Sequence, residues 1–168
     1  MMHDKSIRLA RLDEAEAIAN LVRGSISELC FDDHDGDDAT IGRWLANKTK
    51  DNIAAWIAAP DLSLFVIGCS TGLAAAGCYR DNGVILMNYV SPFHRFQGLS
   101  ARMIDFLEAS LAACGLATAR LVSTRTAIPF YERRGWQSYG DPIPCMGATG
   151  QPMKKNLNQS AAELQTTN

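Results

Sequence analysis

Apolar positions along the chain switch repeatedly between two periods. Ile7 and Leu9 alternate with Arg8, which predicts a short first strand. Ile18, Leu21, Val22 and Ile26 then recur at helical spacing, and Asp13-x-x-Glu16 precedes them as a capping box. A helix is therefore expected over about 13–29. Residues 31–38, FDDHDGDD, read as an acidic loop. Ile41, Trp44 and Leu45 suggest another helix, and Asp51 opens a further turn carrying Ile53, Trp56 and Ile57 that ends at Pro60. Three strands follow over 62–69, 73–80 and 84–90. They are separated by Ser70-Thr71-Gly72 and by Asp81-Asn82-Gly83, the second a strong hairpin signal because Asn-Gly tolerates positive φ. A helix over 98–114 closes at Gly115. A strand over 119–123, a short helix over 127–134 ending at Gly135, and last strands near 136–139 and 152–157 complete the pattern.

The order predicts an α/β (α+β) domain: a mixed, mostly antiparallel central sheet with flanking helices. Its length of 168 residues, 47% of them hydrophobic, suits a single domain over about 5–157. The tail over 158–168 is polar and expected to fray.

Charge and cysteine usage remove several function classes. Net charge is −2, so no basic field invites nucleic acid. The first residues lack the apolar run of a signal peptide, and no stretch approaches the length of a membrane helix. Cys30, Cys69, Cys78, Cys114 and Cys145 are odd in number and scattered, with no CxxC. Reduced thiols in a cytoplasmic protein are the expectation. No ligand cluster has metal-site spacing. In the acidic stretch an EF-hand frame anchored on Gly36 would need acid at Phe31 and Gly42, so a solvated loop attractive to a cationic acceptor is expected. Gly68-Cys69-Ser70-Thr71-Gly72 satisfies the pattern of a hydrolase nucleophile elbow, but a hairpin follows where that motif needs a helix.

The candidate chemistry lies at 89–107, YVSPFHRFQGLSARMIDFL. Pro92 ends a strand, and a helix opens at Gly98 and Ser100 with Arg95 just before it. A helix start has unpaired N–H groups and partial positive charge, and small residues there let phosphate oxygens approach. From these residues alone, a phosphate cradle and a plain strand-to-helix turn are both open.

The stretch VSPFHRFQGLS resembles the acyl-CoA signature of the GCN5-related N-acetyltransferase (GNAT) superfamily, Gln/Arg-x-x-Gly-x-Gly/Ala after a V-x-P strand end, with Arg95, Gly98 and Ser100 on its positions. A second block, TRTAIPFYERRGW at 124–136, is similar to the family's N-x-x-A-x-x-F-Y-x-x-x-G-F segment through Ala127, Phe130, Tyr131 and Gly135. Thr124 stands where asparagine is common, and Ser100 where glycine or alanine is. The resemblance covers about 6–157 and implies the acyl-CoA N-acyltransferase fold, with the fourth and fifth strands splayed around a pantetheine arm.

That likeness implies acetyl transfer from acetyl-CoA, with no metal, directly to an amine of a small molecule or peptide. Met87, Tyr89 and Val90 would pair with pantetheine; the amides of Phe96, Gln97, Gly98, Leu99 and Ser100, with Arg95, would hold the pyrophosphate; Thr124 and Phe130 would complete the cofactor site. Tyr131 would lie near the sulfur, as general acid or as a packing aromatic. The strand over 84–90 carries no acid, so Asp33 and His34, in the loop beside the acceptor cleft, are the candidates for acceptor contact. His34 is the candidate base, with a solvated surface histidine as the other reading, and His94 has a weaker case. A homodimer is compatible with these features. Rival readings are a non-catalytic acyl-CoA-binding module, another acyl-CoA or a hydroxyl acceptor, and a serine hydrolase built on Ser70.

Overall fold

The structure is a computed structural model that describes residues 6–145 and 147–158; the predicted tail, apart from its first residue, lies outside them. Its strands are β1 (Ile7–Leu9), β2 (Leu62–Cys69), β3 (Gly72–Arg80), β4 (Ile85–Val90), β5 (Thr118–Thr124), β6 (Gln137–Ser138), β7 (Ile143–Cys145) and β8 (Ala148–Asn156). Its helices are α1 (Ala15–Leu29), α2 (Phe31–His34), α3 (Asp38–Leu45), α4 (Lys50–Ala58), α5 (Leu99–Ala113) and α6 (Ile128–Glu132).

The expected single sheet is two. Strands β1-β2-β3-β4 form an antiparallel sheet, and β8 pairs antiparallel with β5 on one side and with β6 and β7 on the other. The two sheets meet at one point, a parallel bridge between Val84 and Arg120, where the Arg120 N–H donates to Gly83 O at 2.9 Å. Gly83 has φ +88°, and a Cβ there would stand 2.9 Å from Thr118 O. The Asn-Gly turn therefore makes the hairpin and also lets β5 approach it. Beyond this apex β4 and β5 diverge.

Two cores follow from the period of two along β2. Phe65 and Ile67 face α5, with Leu99, Met103, Leu107 and Leu111, while Leu64 and Val66 face α1 and α4, with Ile18, Val22, Ile26 and Ile53. Both faces are covered, so β2 and β3 read as nearly continuous apolar runs. Gly77 seats α5 closely: a Cβ there would meet Met103 Cγ at 2.6 Å.

Three local expectations change. The helix start predicted at Asp13 belongs instead to Glu14, whose carboxylate accepts from the Arg11 N–H at 2.8 Å and from both Arg8 Nη atoms at 2.7 and 2.9 Å. The acidic loop is the short helix α2, then a left-handed Asp35, then Asp37, which caps α3 by accepting from the Thr40 N–H at 2.7 Å. The last strand, β8, begins earlier than the expected 152–157, β6 is shorter than the expected 136–139, and β7 is additional. Residues 139–142 stand opposite only 151–152, so β6 and β7 are one strand interrupted by a bulged loop.

Candidate functional site

The site is the gap that opens between β4 and β5. On the β3 side the Ser91 N–H donates to Ala74 O at 2.9 Å, and Tyr89 and Met87 lie opposite Ala76 and Cys78. Antiparallel bonding alternates along a strand. The N–H groups of Val90 and Asn88 therefore point away from β3, toward β5. The register also slips between Cys78/Met87 and Tyr79/Ile85, leaving Leu86 as an extra, bulged residue. A cleft of about 240 Å³ runs along this edge, lined by β4, by Leu121 to Thr124 of β5, by Ser100, and by Tyr131 of α6.

At one end of the cleft stands the start of α5. Gly98 is its N-cap, at φ +70°, and no side chain caps the helix. A Cβ on Gly98 would meet nothing within 4 Å, so the space in front of the helix is open. The first-turn amides of a helix lack intrahelical partners, which leaves those of Leu99 and Ser100 facing this space. Arg95 is exposed, with its guanidinium 4.8 Å from the Phe96 ring centroid. Phe96 has φ +60°, a backbone rarely adopted by a residue with a side chain, and its ring is 95% exposed. Gln97 is exposed beside it, while Leu99 is anchored in the core at 2% exposure. The turn before α5 is thus backbone held out into solvent and anchored by Leu99.

Tyr131 sits within the cleft at 8% exposure, its ring in edge contact with Phe130 at 5.0 Å and Trp136 at 5.8 Å. Glu108 of α5 fixes this aromatic group from behind. Its carboxylate accepts from Trp136 Nε1 at 2.8 Å and from Lys155 Nζ at 2.6 Å. Burial pushes the Tyr131 phenol up to about 12, against a smaller opposing effect of the Asn88 amide beside it. At neutral pH the phenol keeps its proton and is available as a donor. Asn88 donates to Ser100 O at 3.2 Å, while its buried Oδ1 has no partner among the described residues. That oxygen, on the edge of β4, suits an amide N–H of an extended ligand arm, and nothing in the sequence singled it out.

The other predicted residues divide. Tyr89, Val90 and Thr124 line the cleft. Thr124 Oγ1 also accepts from the Ala127 N–H at 3.3 Å, so it turns the chain into α6. Asp33 lies at an adjoining mouth with Arg125, where its carboxylate accepts from the Thr126 N–H at 3.3 Å and from the Thr126 hydroxyl. Arg125 donates to Asp32 O in the same contact. The acidic stretch thus clasps the β5–α6 turn through Asp32 and Asp33, while Asp35, Asp37 and Asp38 stay exposed as expected.

His34 departs from its expected role as base. It is 3% exposed, its Nδ1 accepts from the Gly36 N–H at 3.0 Å, and its Nε2 lies 3.1 Å from Ile26 O. With Nδ1 accepting, Nε2 must carry the proton, so both ring nitrogens are committed to holding α2 on α1. Neither is left to take a proton from a ligand. Among the described residues lining the β4–β5 cleft there is no Asp, Glu or His. Cys30 lines it too, but burial pushes its thiol up to about 12, which makes it a poor nucleophile. Ser70 lies in the β2–β3 turn and does not line the cleft.

Through the gap, on the α3 side, lies a second cavity of about 210 Å³ that shares Ile85, Leu86, Tyr89 and Val122 to Thr124 with the first. Trp44, Lys48, Cys145 and Gly150 close it. The cleft is therefore approached from two sides, the α5 start on one and this cavity on the other.

Solved structures share this fold. A GCN5-related N-acetyltransferase from Rhodopseudomonas palustris superposes with TM-score 0.81 at 19% identity, over 93% of this chain and 98% of the other. The paia N-acetyltransferase of Thermoplasma acidophilum, in complex with coenzyme A, gives 0.75 at 15% identity, over 90% and 98%. The yncA protein of Salmonella typhimurium, with its cofactor acetyl-CoA, gives 0.67 at 16%, over 90% and 93%. At such identities the likeness shows the fold. No curated protein matches the sequence. The sequence profile of the acetyltransferase (GNAT) domain matches residues 34–157, which span α3, the whole β4–β5 gap and the start of α5. The chain belongs to the GNAT acetyltransferase family, and it is an acyltransferase of that fold.

Proposed function

We propose that this enzyme transfers the acetyl group of acetyl-CoA directly to a primary amine. One observation carries the reading: the unpaired edge of β4 leads from the uncapped start of α5 to the buried phenol of Tyr131. An acyl-CoA has the matching order of parts, with pyrophosphate, then an amide-bearing arm, then thioester.

The amides of Leu99 and Ser100 hold the pyrophosphate, with Arg95 adding charge at the surface. The pantetheine arm pairs with β4, where Asn88 Oδ1 accepts one of its amide N–H groups. The Val90 N–H, turned into the gap, donates to the thioester oxygen and stabilises the charge that grows there on attack. A neutral amine attacks the carbonyl carbon, forming the C–N bond and a tetrahedral adduct with charge on oxygen. The C–S bond then breaks and its electron pair leaves with sulfur. The nitrogen, strongly acidified by acylation, gives up the proton that finally resides on the thiol.

Magnitudes decide what Tyr131 does. A phenol at about 12 is a weaker acid than a free thiol near 8.5. Complete transfer from phenol to thiolate would be uphill by ~5 kcal/mol, so Tyr131 stabilises the departing sulfur by donating a hydrogen bond and passes the nitrogen's proton along. Since no carboxylate or imidazole lines the cleft among the described residues, we assign no side-chain base; the polar side chains there include the hydroxyls of Ser25, Ser123 and Thr124. The raised thiol of Cys30 supports direct transfer over an acetyl-cysteine intermediate.

Thiol release from acetyl-CoA, followed with a panel of amines, tests the reading. Amine-dependent release with the amide as co-product is expected, with a rate that rises with pH toward each acceptor's own pKa. Release that is independent of amine, or an acetylated protein thiol on the reaction path, would overturn direct transfer.

A further inference from the structure

The second cavity contains a charge that the reaction does not use. Lys48, in the short link between α3 and α4, is 5% exposed and lines this cavity. No carboxylate lies within 4 Å of its Nζ among the described residues, in contrast to Lys155, whose Nζ lies 2.6 Å from Glu108 Oε2. Its Nζ is instead held by a neutral amide and an aromatic ring. It donates to Asn47 Oδ1 at 2.6 Å and stands 5.7 Å from the centroid of the Trp56 ring. Burial draws its pKa below the ordinary lysine value, against a small opposing effect of Cys145. A buried cation without a counter-ion is costly, and a bound anion would offset that cost.

We propose that Lys48 recognises a carboxylate on the acceptor, so that the substrate is an amine carrying a carboxylate group, of amino-acid or short-peptide size. Three features select this class. Lys48 is the only cationic residue among the described residues that line the cavity, which matches a monoanion better than a phosphate dianion. Most of the other walls, among them Trp44, Leu86, Tyr89 and Val122, are apolar or aromatic and suit a hydrophobic body, with Ser123, Thr124 and Thr149 the hydroxyl-bearing residues beside them. The cavity opens into the thioester cleft through residues that line both, so a ligand anchored at Lys48 can reach through with its amine.

This inference rests on the proposed acetyl transfer, and its test separates the two. Matched pairs are compared, each an amino acid and the amine left by removing its carboxylate: phenylalanine with phenethylamine, tryptophan with tryptamine, leucine with isoamylamine. Turnover is read by thiol release, and binding to the CoA-loaded protein is read by calorimetry. The carboxylate member is expected to win by roughly 10- to 100-fold in kcat/KM or affinity. Lys48→Met should collapse that ratio mainly through KM, and Lys48→Arg should restore part of it. Equal use of both members, preference for the decarboxylated amine, a ratio unchanged in a folded Lys48→Met, or no binding of any carboxylate member would each overturn the assignment. In all of these, tight acetyl-CoA binding with amine-dependent thiol release leaves the transferase reading standing.

Discussion

The two mouths of the β4–β5 gap are built from different materials. The α5 mouth is made of backbone: an uncapped helix start, a left-handed Gly98, an exposed turn, and strand-edge amides. The α3 mouth is made of side chains, Trp44, Lys48, Tyr89 and Cys145, brought together from segments about a hundred residues apart. Backbone recognition tolerates almost any sequence that keeps the turn, so one cofactor can be shared by many relatives. Side-chain recognition changes with each substitution, so the acceptor can differ from one relative to the next. On the proposed reading, the common chemistry belongs to one side of the sheet and individual specificity to the other.

The largest effect that would break the comparison is on the backbone side. Gly98→Glu puts a negative charge into the open space before α5 and forces a side chain onto a positive φ. Acetyl-CoA affinity should fall at least about 100-fold by calorimetry, the loss of two or three charge-assisted hydrogen bonds, while circular dichroism stays native. Unchanged affinity in a folded variant removes the cradle.

Tyr131→Phe comes next. It keeps the edge contacts with Phe130 and Trp136 but removes the donor. Turnover should fall by roughly 10²–10⁴-fold with acetyl-CoA affinity within about a few-fold. A thioester with a better leaving group should recover much of the loss. Near-native turnover would make Tyr131 a packing residue.

Gly83→Ala acts at the apex where the two sheets meet. Its Cβ would press on Thr118 O at 2.9 Å in a left-handed conformation. A loss of ~1–3 kcal/mol in chemical denaturation is expected, with weaker acetyl-CoA binding as the gap widens. Native stability would show that the bridge to Arg120 does not set the spacing.

The smallest effect lies far from the gap. The Arg8 guanidinium, and then the Arg11 N–H, hold Glu14 down at about 2, against the cost of its burial. The folded pKa is depressed, so this stability is present above the ordinary carboxylate range and is lost as pH falls from about 4.5 toward 2. Linkage puts its ceiling at ~3 kcal/mol, and the partly exposed Arg8 reduces it to ~1–2 kcal/mol. Glu14→Gln should flatten the acid limb of stability against pH without changing acetyl-CoA affinity. An acid limb equally steep in the variant would assign it to other carboxylates.

The same contrast explains what could be read from the chain. The β4–α5 junction was legible because its signals are local: Pro92, Gly98 and the spacing of Leu99, Met103 and Leu107 all act within a few residues. The Asn-Gly hairpin and the turn before α6 were legible for the same reason. The acceptor side was not. Residues 31–38 look like a solvated acidic loop, and only the contact of Asp33 with Thr126, 93 positions away, turns them into a clasp. The same long-range packing buries His34 and removes its promise as a base. Lys48 carries no signal at all in an ordinary polar link, because its burial depends on Trp56 and on the β7–β8 hairpin. That hairpin was missed in turn because Ile143–Cys145 is short and contains Pro144, tolerated only at an edge. Asp13 and Glu14 competed for one helix start, and the nearby arginines decided it.

Amide hydrogen exchange with and without acetyl-CoA tests the central claim most directly. The account predicts slowed exchange at Leu99, Ser100, Asn88 and Val90, whose N–H groups face the helix start or the gap, with little change at Met87 and Tyr89, already paired to β3. Protection confined to other segments, with those four amides unchanged at saturating acetyl-CoA, would contradict it.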